Sequence, residues 1–241
     1  MQFVPRSYCP CGTLLFVALL ITPGMAEEPA RSAKPRPTAA GVSQQFLPRH
    51  PAPRGAAEQK IVAVMDEMYA SQSRGMGNVL PEDGRLLRML TETLGAKHVV
   101  EVGTANGYSA MWFCLALRST GGRLTTCEID PQRIALARDN FRQAGVVDLV
   151  TLIEGDAHET LKTLDGPIDL VLLDAEKEGL TDYLAQLLPL VRPGGLIIAH
   201  DSTGHAHLME DYFRALAGHP DLETVFVDAS RWGLCITRKM R

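Results

Sequence analysis

At 241 residues, the chain is long enough for one α/β domain with a full core plus additional segments at one end. Apolar residues at 46% and charged residues at 22% are ordinary globular values. A net charge of −4, with no basic tract and no aromatic-interleaved stripe, speaks against nucleic acid and for a small-molecule partner.

The N-terminus belongs to a different regime. Arg6 precedes an apolar run from Thr13 to Ile21, which closes on Thr22-Pro23-Gly24-Met25-Ala26. A charged start, a short apolar stretch and a small-x-small ending predict a signal peptide over 1–26. Export to the periplasm or exterior follows; a misassigned start would instead leave the protein cytoplasmic. The run is too short to span a bilayer comfortably, so no integral membrane domain is expected. Residues 27–54 are rich in Pro, Ala, Arg and Lys without periodicity and predict a disordered linker, leaving 55–241 as the folded domain. Cys9 and Cys11 fall in the signal. Cys114, Cys127 and Cys235 sit among apolar neighbours and read as buried thiols, not as a disulfide scaffold.

Within the domain, Ile61, Val64, Met65 and Met68 recur at helical spacing and predict a helix over Ala56–Ser71. Pro81, followed by Glu82 and Asp83, opens a second helix that runs to about Leu94 and stops at Gly95. Strands and helices then alternate. The strands are His98–Val102, Arg123–Glu128, Val147–Glu154, Ile168–Asp174 and Gly195–His200. Helices start near Tyr108, Pro131, Ala157 and Lys177, with another around His207–Ala217. Such alternation predicts a parallel sheet with right-handed crossovers. Glu223–Val227 and Leu234–Arg238, joined by a short polar link, predict an antiparallel pair. The expected fold class is α/β: a doubly wound, mostly parallel, seven-stranded sheet with a C-terminal antiparallel hairpin and extra N-terminal helices.

The first strand and its turn carry the chemistry: Val99-Val100-Glu101-Val102-Gly103-Thr104-Ala105-Asn106-Gly107-Tyr108-Ser109. Gly103 and Gly107 permit a tight turn and close approach of the backbone to a ligand. The helix from Tyr108 to about Leu117 offers free N-terminal amides. A dinucleotide fingerprint requires G-x-G-x-x-G, which is absent. A Glu101 carboxylate pointing into the pocket would repel a pyrophosphate but suits a ligand with a positive charge and an amino group. S-adenosyl-L-methionine has both, as sulfonium and α-ammonium. Here the chain resembles the class I S-adenosylmethionine-dependent methyltransferases, Rossmann-like enzymes whose first motif is an acidic residue and a G-x-G-x-G turn. Ala105 stands at the middle glycine.

Ligands in such sheets bind at the carboxyl ends of the strands. Glu101, Glu128, Asp156, Asp174 and Asp201 stand at or just past the five parallel strands. Glu128 is placed to accept ribose hydroxyls, with Ile129 beside it. Gly155-Asp156-Ala157 resembles the family's adenine-edge segment. Asp174-Ala175-Glu176-Lys177, with Gly194 to Asp201, narrows the resemblance to the catechol and caffeoyl-coenzyme-A type O-methyltransferases, over roughly Gly75 to the C-terminus. That likeness implies a divalent metal such as Mg²⁺ on Asp174, Asp201 and Ser202, with Lys177 as base and Asp174 shared between metal, cofactor and catalysis. It also implies that Asn78 and Val79 cover the methionine end of the cofactor, and that Gly103, Thr104, Ala105, Gly107, Tyr108 and Ser109 surround it. A homodimer through the two N-terminal helices is expected on the same analogy.

Ser202 departs from the family's Asn and is a shorter-reaching oxygen ligand. His200, His205 and His207 offer either a different metal or a histidine base. The reading is methyl transfer to a hydroxyl of a small catechol-like acceptor. Two alternatives stay open: a metal-independent methyltransferase of the same fold with another acceptor, and an exported S-adenosylmethionine-binding protein without catalysis.

Overall fold

The computed structural model describes residues 46–241, so the expected signal and most of the expected linker lie outside the described residues. Helices α1 (Ala56–Ser71) and α2 (Pro81–Thr93) precede a sheet built from β1 (His98–Val102), β2 (Arg123–Glu128), β3 (Val150–Glu154), β4 (Ile168–Leu173), β5 (Val191–His200), β6 (Leu222–Val227) and β7 (Leu234–Lys239). Between the strands lie α3 (Tyr108–Thr120), α4 (Pro131–Ala144), the short α5 (Ala157–Thr160), α6 (Leu180–Leu187) and α7 (Glu210–Ala217). The sheet order is β3-β2-β1-β4-β5-β7-β6, with only the β7 pairings antiparallel. This is the expected α/β sheet and terminal hairpin. Its order reverses between β1 and β4, where a crevice opens at the strand ends.

Each face of the sheet has its own core. Val99, Leu170, Leu172 and Ile198 face α1 to α4, whereas Val100, Val102, Val171 and Leu173 face α6 and α7. The period of two along a strand produces this division. The apolar stripe of α1, Ile61, Val64, Met65 and Met68, is spent inward on the first core. The three described cysteines, Cys114, Cys127 and Cys235, are buried and free. No described helix is long and apolar enough to cross a membrane.

Several boundaries move for identifiable reasons. β3 starts at Val150 instead of Val147, because the Leu149 amide closes a turn onto the Val146 carbonyl at 2.9 Å. β5 starts earlier than Gly195: Val191 already pairs with Ile168, and a register shift accommodates Arg192 to Gly195 before Leu196 pairs with Leu170. Lys177 begins a single 3-10 turn, Lys177–Gly179, ahead of α6, and the helix expected from His207 starts at Glu210. Part of the stretch expected as linker, 46–54, makes tertiary contacts. His50 is buried, bridging Asp66 and the Tyr108 hydroxyl at 2.7 Å each, and Arg85 holds the Pro48 carbonyl at 2.8 Å. These are polar tertiary contacts, which hydrophobic periodicity does not register.

Candidate active site

The crevice between β1 and β4 is a cavity of about 600 Å³. Of the residues expected at the cofactor, Asn78, Val79, Gly103, Thr104, Ala105, Tyr108, Ser109, Glu128, Ile129 and Asp174 line it. Asp156 and Ala157 line an adjoining pocket together with Glu128 and Ile129. There the Asp156 side chain caps α5 by accepting from the His158 amide at 2.9 Å. Lys177 and Asp201 also reach the main cavity.

The turn after β1 is fixed by its backbone. The Gly103 and Thr104 amides donate to the Cys127 carbonyl at 3.0 and 3.1 Å. At Gly103, with φ of +100°, a Cβ would lie 2.4 Å from the Asp174 carbonyl oxygen, so β1 and β4 meet here without room for a side chain. Ala105 takes a φ of 47° in place of the family's middle glycine. Gly107 serves differently from the expectation: a Cβ there would meet the Phe141 ring at 2.6 Å, and it does not line the cavity. Its glycine answers to packing against α4.

Glu128 is held by three amides. Ala105 donates to Oε2 at 2.7 Å, while Ile129 and Asp130 donate to Oε1 at 2.9 and 3.0 Å. Glu101 does not point into the cavity. It alternates with Val100 and Val102, so its carboxyl turns to the face under α3, fully buried. Burial pushes its pKa up to about 7, against hydrogen bonds from Ser109 and Thr126. The Thr126 bond measures 2.7 Å, and Oε1 has no partner among the described residues.

After β4, the D-x-x-K spacing puts Lys177 three residues past Asp174, at the start of the 3-10 turn. Its Nζ lies 3.5 Å from Asp174 Oδ1 and 3.1 Å from Asp201 Oδ2. Asp201 adopts a φ of 65°, unusual outside glycine, in a loop pinned by Thr203 and Gly204 amides on the Trp232 carbonyl. Burial works against its charge, but His200 and Lys177 hold its pKa below the usual carboxylate range.

His200, at the end of β5, is 2% exposed. Its Nδ1 faces Asp174 Oδ1 at 3.2 Å and Asp201 Oδ1 at 3.3 Å, and its Nε2 faces Asp83 Oδ2 at 3.1 Å. Burial opposes protonation, yet Asp174, Asp83 and Asp201 together raise its pKa to about 10. Asp174, His200 and Asp201 each offer one ligand atom, all within 4.8 Å of one another. Two carboxylates and an imidazole form a competent donor set for a divalent cation. Ser202, expected as the third ligand, is buried with its hydroxyl unpartnered among the described residues, does not line the cavity, and donates its amide to Gly233 at 3.2 Å.

Beyond this cluster lies a second cavity of about 400 Å³, lined by Tyr69, Asn78, His200, Asp201, His205, Arg231 and Trp232 among others. His205 stacks on Trp232 with ring centroids 5.4 Å apart and planes 13° apart. His158 pairs with Asp182 at 2.5 Å and stacks on Tyr183. Sequence reasoning missed Asp83, Tyr69 and Arg133, which lines the main cavity. Nothing in their local sequence marks them, because tertiary contacts bring each one to the site.

Comparisons with known proteins bear on family and fold. Over 126 residues the chain is 39% identical to a catechol O-methyltransferase of Niastella koreensis, a match covering 51% of this chain. That match spans 57% of the relative's own length. The methyltransferase PaMTH1 of Podospora anserina, solved with S-adenosylhomocysteine, superposes with a TM-score of 0.74 at 22% identity, covering 89% of this chain and all of that one. An O-methyltransferase of Bacillus cereus, also in complex with S-adenosylhomocysteine, gives 0.69 at 23% identity over 82% of this chain and 94% of its own. At those identities the likeness is one of fold. Residues 54–212 match the model of the O-methyltransferase family, and the chain belongs to that family.

Proposed function

We propose that this protein transfers the methyl group of S-adenosylmethionine to a hydroxyl of a small, catechol-like acceptor, with a divalent cation at Asp174 and Asp201. The observation that carries the reading is the convergence of Lys177, Asp174 and Asp201 where the two cavities meet, with Lys177 Nζ 3.1 Å from Asp201. The turn Gly103–Ala105 admits the cofactor backbone-close, and Glu128 accepts from its ribose. A cation bound here would hold both oxygens of a diol and lower the pKa of the reacting hydroxyl. Lys177 takes the proton as the methyl group passes from sulfur to oxygen, and the walls fix the in-line approach. The fold relatives and the catechol-named relative support the donor and the acceptor class. The predicted leader supports export, and the N-terminal helices are the proposed surface for a homodimer.

A second reading rests on His205, which lines both cavities and lies 3.3 Å from Asp201 Oδ2. Here the imidazole takes the proton without a metal. Product formation from catechol and S-adenosylmethionine, followed by mass spectrometry with and without EDTA, separates the two. Methylation abolished by EDTA and restored by a divalent cation supports the first. Undiminished turnover in EDTA supports the second, and no methylated product from catechol or related diols removes both.

A further inference from the structure

We infer that His200, oriented by Asp83, completes the cation site, and that the site therefore prefers a transition-series divalent cation such as Mn²⁺ or Co²⁺ to Mg²⁺. This rests on the metal-assisted reading above and deepens it. Three ligand atoms bound to one ion at about 2.0–2.2 Å must lie roughly 3 Å apart. His200 Nδ1 is 3.2 Å from Asp174 Oδ1 and 3.3 Å from Asp201 Oδ1, so the ring already stands at ligand spacing.

The other side of the ring carries the stronger indication. Metal-binding imidazoles characteristically donate their second N–H to a carboxylate, which fixes tautomer and orientation. His200 Nε2 meets Asp83 Oδ2 at 3.1 Å, across 117 residues of sequence, and Asp83 is fully buried near the start of α2. Asp83 Oδ2 also accepts from Ser230 Oγ at 2.5 Å, and Ser230 Oγ accepts from the Trp232 amide at 3.1 Å. Asp83 and Ser230 line neither cavity. A buried carboxylate is costly, and this one holds the imidazole and the Ser230 hydroxyl. A cation arriving at Nδ1 displaces a proton, the ordinary competition at histidine ligands.

Replacing an oxygen ligand with an imidazole nitrogen changes which ion is favoured. Carboxylate and carbonyl oxygens suit Mg²⁺, whereas a nitrogen donor shifts affinity toward the later first-row ions.

The test is calorimetric titration of the full chain, saturated with S-adenosylhomocysteine, with MnCl₂ and with MgCl₂, and with CoCl₂ followed by visible absorption. Wild type, H200Q, D83N and S202A are compared, and S-adenosylhomocysteine binding by each variant reports its fold. Expected are Mn²⁺ and Co²⁺ affinities about tenfold or more above that of Mg²⁺. D83N is expected to lose about 10- to 100-fold in Mn²⁺ affinity. H200Q should cut the Co²⁺ preference over Mg²⁺ by about tenfold, and S202A should bind as wild type. Should H200Q prove unfolded, the wild-type ion preference and S202A still decide. Wild-type Mn²⁺ affinity in H200Q, equal Mn²⁺ and Mg²⁺ affinities in wild type, or loss of binding in S202A overturns the His200 assignment and leaves the metal-assisted reading intact. No binding of any ion by wild type that still binds S-adenosylhomocysteine overturns both.

Discussion

The Ala105 amide donates to Glu128 Oε2 at 2.7 Å, tying the end of β2 to the glycine turn after β1. Two further amides hold the other oxygen, so the carboxylate is oriented before any ligand arrives. Preorganisation of this kind spares the rotamer cost of binding. Hydrogen bonds to a charged acceptor contribute about 1.5–3 kcal/mol, so E128A is expected to raise the Kd for S-adenosylhomocysteine roughly 10- to 100-fold. Isothermal calorimetry checks it. A change below threefold would take Glu128 out of the cofactor site.

Lys177 stands between Asp174 and Asp201, and its ammonium makes no hydrogen bond to the turn that would hold the cofactor. Its removal should therefore act on the chemical step. K177A is expected to lower kcat by about 10²- to 10⁴-fold, the usual range for loss of a positioned proton acceptor, with cofactor affinity nearly unchanged. Initial rates with catechol, alongside a cofactor titration, separate the two quantities. Equal losses in both would assign Lys177 to cofactor binding.

Two glycines with positive φ make a controlled pair. Gly145, at the end of α4 with φ of +65°, has open space around it, whereas a Cβ at Gly103 collides with the Asp174 carbonyl. G145A should cost about 1 kcal/mol, the left-handed penalty alone. G103A should cost roughly 2–4 kcal/mol, because strain and collision combine. Urea denaturation of both variants gives the comparison, and equal losses would contradict the close approach of β1 and β4.

Glu101 has an ordinary carboxyl pKa of 4.5 that burial raises to about 7 in the folded chain. Between those values the native state keeps a proton that the unfolded chain has released. Stability therefore falls as pH rises from about 4.5 to 7 and levels off above, by roughly 3 kcal/mol in all. E101Q stays neutral at every pH. Its stability relative to wild type is expected to rise between pH 5 and pH 8, as measured by urea denaturation at both. A difference that stays constant across that interval counts against a protonated Glu101.

The alternation of strands and helices was legible because its signals are local. Pro131 opens α4 as expected, and the Asp130 side chain before it accepts from the Gln132 and Arg133 amides. Asp174 and Lys177 were legible for the same reason, since only two residues separate them. Glu101 was misdirected although the information was present: its parity with Val100 and Val102 sends it to the face under α3. Asp83 and His200 could not be paired in advance, because only the packing of α2 beside the end of β5 joins them. His50 gave no signal at all, since a lone histidine in a Pro-rich stretch carries no period.

The docking of that histidine sets a limit on how far the chain can be shortened. His50 plugs the space above the Tyr108 hydroxyl and lies 5.6 Å from the Trp112 ring, although it contributes nothing to the cavity wall itself. A cut or truncation at Ala56 would spare every cavity-lining residue and still strip the cover from Tyr108, which is one of them. The working boundary of the fold therefore lies upstream of its first helix, in a stretch whose composition resembles a mere spacer.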